Sequence, residues 1–301
     1  MSLTIQKVSF GGWSNCYQLT DGTVEIIVTG DVGPRIIRCG FVGGNNLFLE
    51  FPGDLGKTGT KKWELYGGHR LWHSPESLKR CYHPDNDPVE IKMLSNGLHV
   101  IQDVEPNTQI KKELIITLNP ETHQFTVLHQ MTNTGNWPVE FALWALSMMN
   151  TGGISIIPQY READPEGLLP NRYITLWPYT DPADPRVTWG SRYVLLRQDV
   201  QKETAFKYGI SVPEGWGAYV NDGDLFLKKF TYDPTATYPD NNVNVELYSN
   251  HRFLELETLS PLYKVAPEKT ITHTEQWSLF RGLPQINTEA DVNTHVLPLI
   301  K

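Results

Sequence analysis

Val139-Glu140-Phe141-Ala142-Leu143-Trp144-Ala145-Leu146-Ser147-Met148-Met149 is the stretch on which the fold class turns. Its apolar run is long enough for a buried helix or a fully buried strand, and periodicity alone does not separate them. The flanks do. Asn133-Thr134-Gly135-Asn136 precedes it and Asn150-Thr151-Gly152-Gly153 follows, and both are turn chemistry of the kind that bounds strands. The run therefore reads as a strand covered on both faces.

Working outward, the same grammar recurs. Residues 110–118 and 124–132 form a hairpin across Asn119-Pro120-Glu121, and residues 89–94 and 98–104 pair across Ser95-Asn96-Gly97, a strong hairpin signal. Residues 23–29 and 34–40 flank Gly30-Asp31-Val32-Gly33, and a short strand follows from Asn45 to Glu50. Later strands are expected near 192–197, 204–210, 215–221, 224–232, 242–249, 252–260 and 271–280. Residues 158–190 have little periodicity and read as a long functional loop. Only the tail reads as helical, with Thr288 capping Glu289 to Val296 and Asp291 completing the cap. No linker or repeat divides the chain. One large antiparallel all-β domain over residues 1–301 is expected, its sheets stacked or closed to manage their edges.

Composition narrows the function. Hydrophobic residues make up 40% and charged residues 20%, enough core for a globular fold. The net charge of -8, with no basic cluster, argues against a nucleic-acid partner. No run approaches the ~18 apolar residues of a membrane span. The opening residues lack a basic segment followed by an apolar one, so a cytoplasmic location is expected. Cys16, Cys39 and Cys81 show no CxxC spacing, which argues against a disulfide framework. Nine Trp, 13 Tyr and 11 Phe suit either half-buried sheets or a sugar-stacking cleft.

Gly67-Gly68-His69-Arg70-Leu71-Trp72-His73-Ser74-Pro75-Glu76 gathers imidazole, guanidinium, indole and carboxylate into what reads as one short turn. Those groups bind polyols and move protons, whereas packing alone gives no reason to collect them. His69, His73 and Glu76 also have a metal-like spacing. Pro75 and the glycines argue against the helix that such ligands need, and the metal assignment is none. No Gly-x-Ser-x-Gly, phosphate loop or dinucleotide fingerprint occurs, so no cofactor is expected.

Alternation sorts the late hairpin. Val243, Val245 and Leu247 share one face with Leu254 and Leu256 across the turn, and Glu246, Glu255 and Glu257 share the other with Tyr248 and Phe253. Three carboxylates on one face repel without cations or a polar ligand, and partial desolvation beside Phe253 suits a general base. Solvated outer-face glutamates are the plain alternative. Asp240 lies on the nearby Tyr238-Pro239-Asp240 turn. Lys207 and Lys228 lie on strands and read first as surface lysines covering apolar area. His129 and His273 alternate with apolar residues and read as buried, hydrogen-bonded histidines.

Several pieces, in order, resemble the galactose mutarotase-like superfamily of β-supersandwich proteins. They are Gly33-Pro34-Arg35-Ile36-Ile37, Gly68-His69-Arg70-Leu71-Trp72, Thr132-Asn133-Thr134 with the Trp144 strand, Gly152-Gly153, Trp177-Pro178-Tyr179, Gly215-Trp216-x-Ala218-Tyr219, Tyr238-Pro239-Asp240 and Leu256-Glu257-Thr258-Leu259-x-Pro261. The resemblance implies a small-molecule carbohydrate ligand and aldose 1-epimerase chemistry. Glu257 would be the base, and His69 or His73 would protonate the ring oxygen. Arg70, Trp72, Glu76, Trp144, Lys207, Asp240 and Glu255 would hold the sugar. The family's second histidine, on the central strand, has no counterpart in Phe141 to Ser147. Two alternatives therefore stand beside catalysis: a non-catalytic carbohydrate-binding protein, and an oligosaccharide hydrolase or lyase using the same cleft.

Overall fold

The computed structural model describes residues 3–162 and 165–300. In chain order its strands are β1 (Thr4–Phe10), β2 (Trp13–Thr20), β3 (Val24–Thr29), β4 (Arg35–Phe41), β5 (Gly68–Ser74), β6 (Glu90–Met93), β7 (Gly97–Ile101), β8 (Ile110–Asn119), β9 (Gln124–Asn133), β10 (Val139–Met149) and β11 (Ile154–Pro158). There follow β12 (Ile174–Leu176), β13 (Val187–Trp189), β14 (Tyr193–Arg197), β15 (Phe206–Ile210), β16 (Trp216–Asn221), β17 (Asp224–Phe230), β18 (Val245–Ser249), β19 (Leu254–Leu259), β20 (Tyr263–Val265) and β21 (Lys269–Arg281). Among the described residues they form two antiparallel sheets. The first runs β1-β2-β3-β4-β5-β10-β19-β18-β15-β12, with β20 also on β10, and the second runs β13-β14-β11-β16-β17-β21-β9-β8-β7-β6.

The sheets stack through one continuous apolar core. Leu71, Phe141, Leu143 and Leu256 from the first sheet meet Leu114, Phe125, Val127 and Trp277 from the second. β10 is buried along nearly its whole length because both of its faces are covered. Phe141, Leu143 and Met149 face the other sheet, while Trp144, Leu146 and Met148 pack outward beneath separate apolar clusters. In the tail, Thr288 and Asp291 form a capping box, but the α-helical part is only Glu289–Asp291 and continues in wider and tighter turns to Leu299. No helix among the described residues is long and apolar enough to cross a membrane.

Several expectations change, and the strand expected from Asn45 to Glu50 is reduced to isolated bridges at Phe48 and Glu50. The imidazole-rich segment is a buried strand rather than a turn, wedged between β4 and β10. Gly67 and Gly68 (φ 95° and 74°) admit it there, because a Cβ on either would collide with the carbonyl oxygen of Leu49 or Ile36. The stretch 158–190 is not wholly irregular, since it contributes the short strands β12 and β13.

Between the sheets lies a closed polar network. Lys228, expected at the surface, is fully buried, with Nζ 3.0 Å from Glu275 Oε1 and donating to the Leu256 carbonyl at 3.1 Å. The Trp277 indole donates to Glu275 Oε2 at 2.8 Å, and the Thr258 hydroxyl donates to Oε1. His129 Nδ1 donates to the His273 carbonyl at 2.9 Å, leaving its Nε2 to accept from His69 Nε2 at 2.7 Å. His69 Nδ1 then accepts from Ser147 at 2.8 Å. His69 and His129 are thus both satisfied in the neutral form. Burial raises the Glu275 carboxyl, but Lys228 and the three imidazoles outweigh it and hold it below the usual carboxylate range.

A buried pair broken on one side leaves an uncompensated charge. Lys228→Met is expected to cost about 3–5 kcal/mol in urea unfolding, with partial recovery in Lys228→Met/Glu275→Gln. Equal stabilities for wild type and the single variant would contradict this reading of the core.

Candidate functional site

Strand alternation carries a second set of side chains to the opposite face of the first sheet. β5 presents Arg70 and Trp72, β10 presents Trp144 and Leu146, β19 presents Glu255 and Glu257, and β15 presents Lys207. These residues floor a cleft of about 500 Å³. Its walls come from irregular segments: Trp63, Tyr82, and Trp177 and Tyr179 from the long 158–190 stretch. A lobe of about 350 Å³ adjoins it, sharing Glu76, Trp144, Trp177 and Lys207 and adding Asp240 and Glu246.

The floor is a layer of cations, indoles and carboxylates. Arg70 lies over the Trp72 ring at 4.2 Å and the Trp63 ring at 5.0 Å, and donates to Glu255 Oε1 at 3.0 Å. Its Nε and Nη1 are buried without partners. Lys207 Nζ sits 4.5 Å from both the Trp144 and Trp177 rings, 2.8 Å from Glu246 Oε2 and 3.5 Å from Glu257 Oε2. The Trp144 indole donates to Glu257 Oε2 at 2.7 Å, while Glu257 Oε1 has no partner. A carboxylate with one oxygen anchored and the other free can accept a proton from a ligand.

Burial dominates the electrostatics. It raises Glu255 to about 7, with Arg70 opposing and Glu257 adding to the rise. It raises Glu246 well above the usual carboxylate value, with Lys207 opposing and Glu257 and Asp240 adding. Burial pulls Lys207 down, but Glu257 and Glu246 outweigh it and lift its pKa above the ordinary lysine value.

Of the residues expected to form the site, Arg70, Trp72, Trp144, Lys207, Glu255 and Glu257 line the main cleft, Glu76 borders both lobes, and Asp240 lies in the adjoining one. Lys207 is buried, not a surface lysine. His69 and His73 require correction: neither lines the cleft. They alternate with Arg70 and Trp72, so the pleat turns both into the space between the sheets, where each is fully buried. At four residues apart on a strand they are also about 13 Å from one another, too far to flank one atom together. Glu76 lies beyond Pro75 and accepts from the Tyr82 hydroxyl at 2.7 Å, so His69, His73 and Glu76 do not form a ligand set either. Among the described residues, His69, His129 and Glu275 are the group close enough to share an ion, their ligand atoms all within 4.8 Å. Lys228 already supplies positive charge there and every ligand atom has a hydrogen-bond partner, so the set fits an ammonium better than a metal.

Sequence reasoning did not select Glu246, although it placed Glu246 on the correct face. Trp63, Tyr82 and Tyr179 lie on irregular backbone, where no periodicity marks them.

No family model matches the chain, and no curated protein matches it in sequence. Solved structures do match in shape. A candidate mutarotase from Salmonella typhimurium superposes with a TM-score of 0.57 at 12% identity, covering 93% of this chain and 94% of that one. A galactose mutarotase-like protein from Clostridium acetobutylicum gives 0.55 at 10% identity over 93% and 99% of the two chains. This is the galactose mutarotase-like fold. A galactose mutarotase related enzyme from Lactobacillus acidophilus shares it, with a TM-score of 0.53 at 10% identity over 91% of this chain and 100% of that one. Within the mutarotase-like fold, this chain's cleft carries no histidine among the described residues that line it.

The buried titratable groups predict an acid-sensitive molecule. Burial lowers the pKa of His69, His129, His73 (to about 2) and His273 (to about 3). The unfolded chain then binds more protons below about pH 6.5, and stability falls with pH. Glu246 and Glu255, raised in the folded state, act in the opposite sense above their unfolded value. Below about pH 6.5 four imidazoles oppose two carboxyl groups, and the net effect is a loss of stability as pH falls. Urea midpoints at pH 7, 6 and 5 should fall steadily, and a flat or rising series would contradict the burial of these imidazoles.

Proposed function

We propose that the cleft binds a saccharide and that Glu257 takes the proton of its anomeric hydroxyl, the first step of aldose 1-epimerase chemistry. The observation that carries this is the half-anchored carboxylate: Trp144 holds Oε2, and Oε1 is buried at the cleft floor without a partner. Trp72, Trp144 and Trp177 supply flat apolar surfaces for a pyranose ring. Arg70, with two unpaired donors, and the surrounding carboxylates supply hydrogen bonds for its hydroxyls. The Lactobacillus acidophilus neighbour is named as a galactose mutarotase related enzyme, and mutarotation interconverts sugar anomers. The resident side chains provide acid and base groups for that step by themselves.

A second reading, binding without turnover, is favoured by the lack of an imidazole in the cleft. The two separate cleanly. Anomerisation of an aldose panel followed by NMR should be about 100-fold slower or more in Glu257→Gln than in wild type. A saccharide that raises the melting temperature while wild type and Glu257→Gln give the same rate would establish the binding reading instead.

A further inference from the structure

Opening a sugar ring needs a proton donor as well as an acceptor. O1 and the ring oxygen are both bonded to C1, so the two groups must approach one edge of the ring from adjacent positions. Glu246 and Glu257 are arranged in that way. They are direct partners across β18 and β19, and both side chains lie on the cleft face. One ammonium, Lys207 Nζ, reaches both, at 2.8 Å and 3.5 Å. Glu246 is 1% exposed, yet it lines the adjoining lobe and its Oε1 has no partner.

We infer that Glu246 is the general acid of this cleft, giving its proton to the ring oxygen while Glu257 takes the proton from O1. The assignment rests on the function proposed above. In the forward step the O1–H bond breaks to Glu257, the C1–O1 bond becomes a carbonyl, the C1–ring oxygen bond breaks, and that oxygen receives the Glu246 proton. After rotation about the C1–C2 bond the transfers reverse. Ring closure returns one proton to Glu246 and takes one from Glu257, with no net change in either.

The groups facing Glu246 come from four directions: Lys207 on β15, Glu257 on β19, Asp240 on the turn before β18, and Glu76 after β5. One cation among three other carboxyl groups favours a neutral Glu246, in line with its raised pKa. With Oε2 facing Lys207 at 2.8 Å, the proton belongs on Oε1, the oxygen farther from the cation and without a partner. Glu255 is the less suitable donor. Arg70 holds it at 3.0 Å, and it stands two residues along the strand from Glu257 instead of opposite it.

The test uses the full chain as wild type, Glu246→Gln and Glu257→Gln. Infrared difference spectra of wild type against Glu246→Gln at pH 7 should show a neutral carboxyl band from Glu246, separate from that of the partly protonated Glu255. Calorimetry should show the saccharide binding Glu246→Gln within about threefold of wild type. Its anomerisation should be slower by about 100-fold or more, and the fall in kcat at high pH, which reports loss of the acid's proton, should disappear. If wild type anomerises a sugar and Glu246→Gln keeps its rate and alkaline limb, the acid assignment fails and the proposed function stands. If wild type turns over no aldose, both fail.

Discussion

Along β5, β10 and β19, neighbouring side chains leave the backbone on opposite faces, and both faces of this sheet are covered. Arg70 and Trp72 go to the cleft while His69, Leu71 and His73 go to the core. Glu255 and Glu257 go to the cleft while Leu256 and Thr258 go to the core. One sheet thus separates two polar systems that are adjacent in sequence, and each must be satisfied from its own side. In the inner system Lys228, Glu275, His69, His129 and His273 are linked to one another, while His73 stands apart with both ring nitrogens unpartnered. The outer one remains open at Glu257 Oε1 and at Arg70 Nε and Nη1.

That difference bears on purpose. Burying a lysine–glutamate pair costs desolvation that the Coulombic attraction does not reliably recover, so neither Lys207 nor Lys228 is simply a source of stability. Where all partners are present the network gives rigidity, and β19, tied by Lys228 to the Leu256 carbonyl and by Thr258 to Glu275, is held from behind. On the cleft side several polar atoms have no hydrogen-bond partner in the protein. The cleft has unmet donors at Arg70 Nε and Nη1 and unpartnered carboxyl oxygens at Glu246 and Glu257. A rigid floor behind an unsatisfied surface is what a preorganised site requires.

Much of this was legible in the residue order. The run from Val139 to Met149 is a strand because its flanks are turns, and Asn96-Gly97 joins the predicted hairpin. The alternation of 242–259 places Glu246, Glu255 and Glu257 on one face, which is where the structure has them. The segment from Gly67 to Glu76 misled because its proline and glycines suggest a turn. Read as a strand, its period of two sends the imidazoles and the guanidinium in opposite directions. Lys207 and Lys228 misled because an isolated lysine on a strand carries no mark of its distant partners. Glu246 lies 39 residues beyond Lys207 in sequence, and Glu275 lies 47 beyond Lys228.

The sequence by itself determined the hairpins from residue 89 to 132, the central strand and most of the late strands, and in the late hairpin the face on which each side chain stands, because these follow from local turn chemistry and a period of two. Tertiary structure alone decided which face becomes cleft and which becomes core, since that depends on what each sheet packs against. It also decided that Trp63, Tyr82 and Trp177 wall the site, because irregular segments have no periodicity from which their direction could be read. Charge pairing across long sequence separations belongs to the same class: only folding brings Lys207 between two indoles and two carboxyl groups, and so makes a site of them.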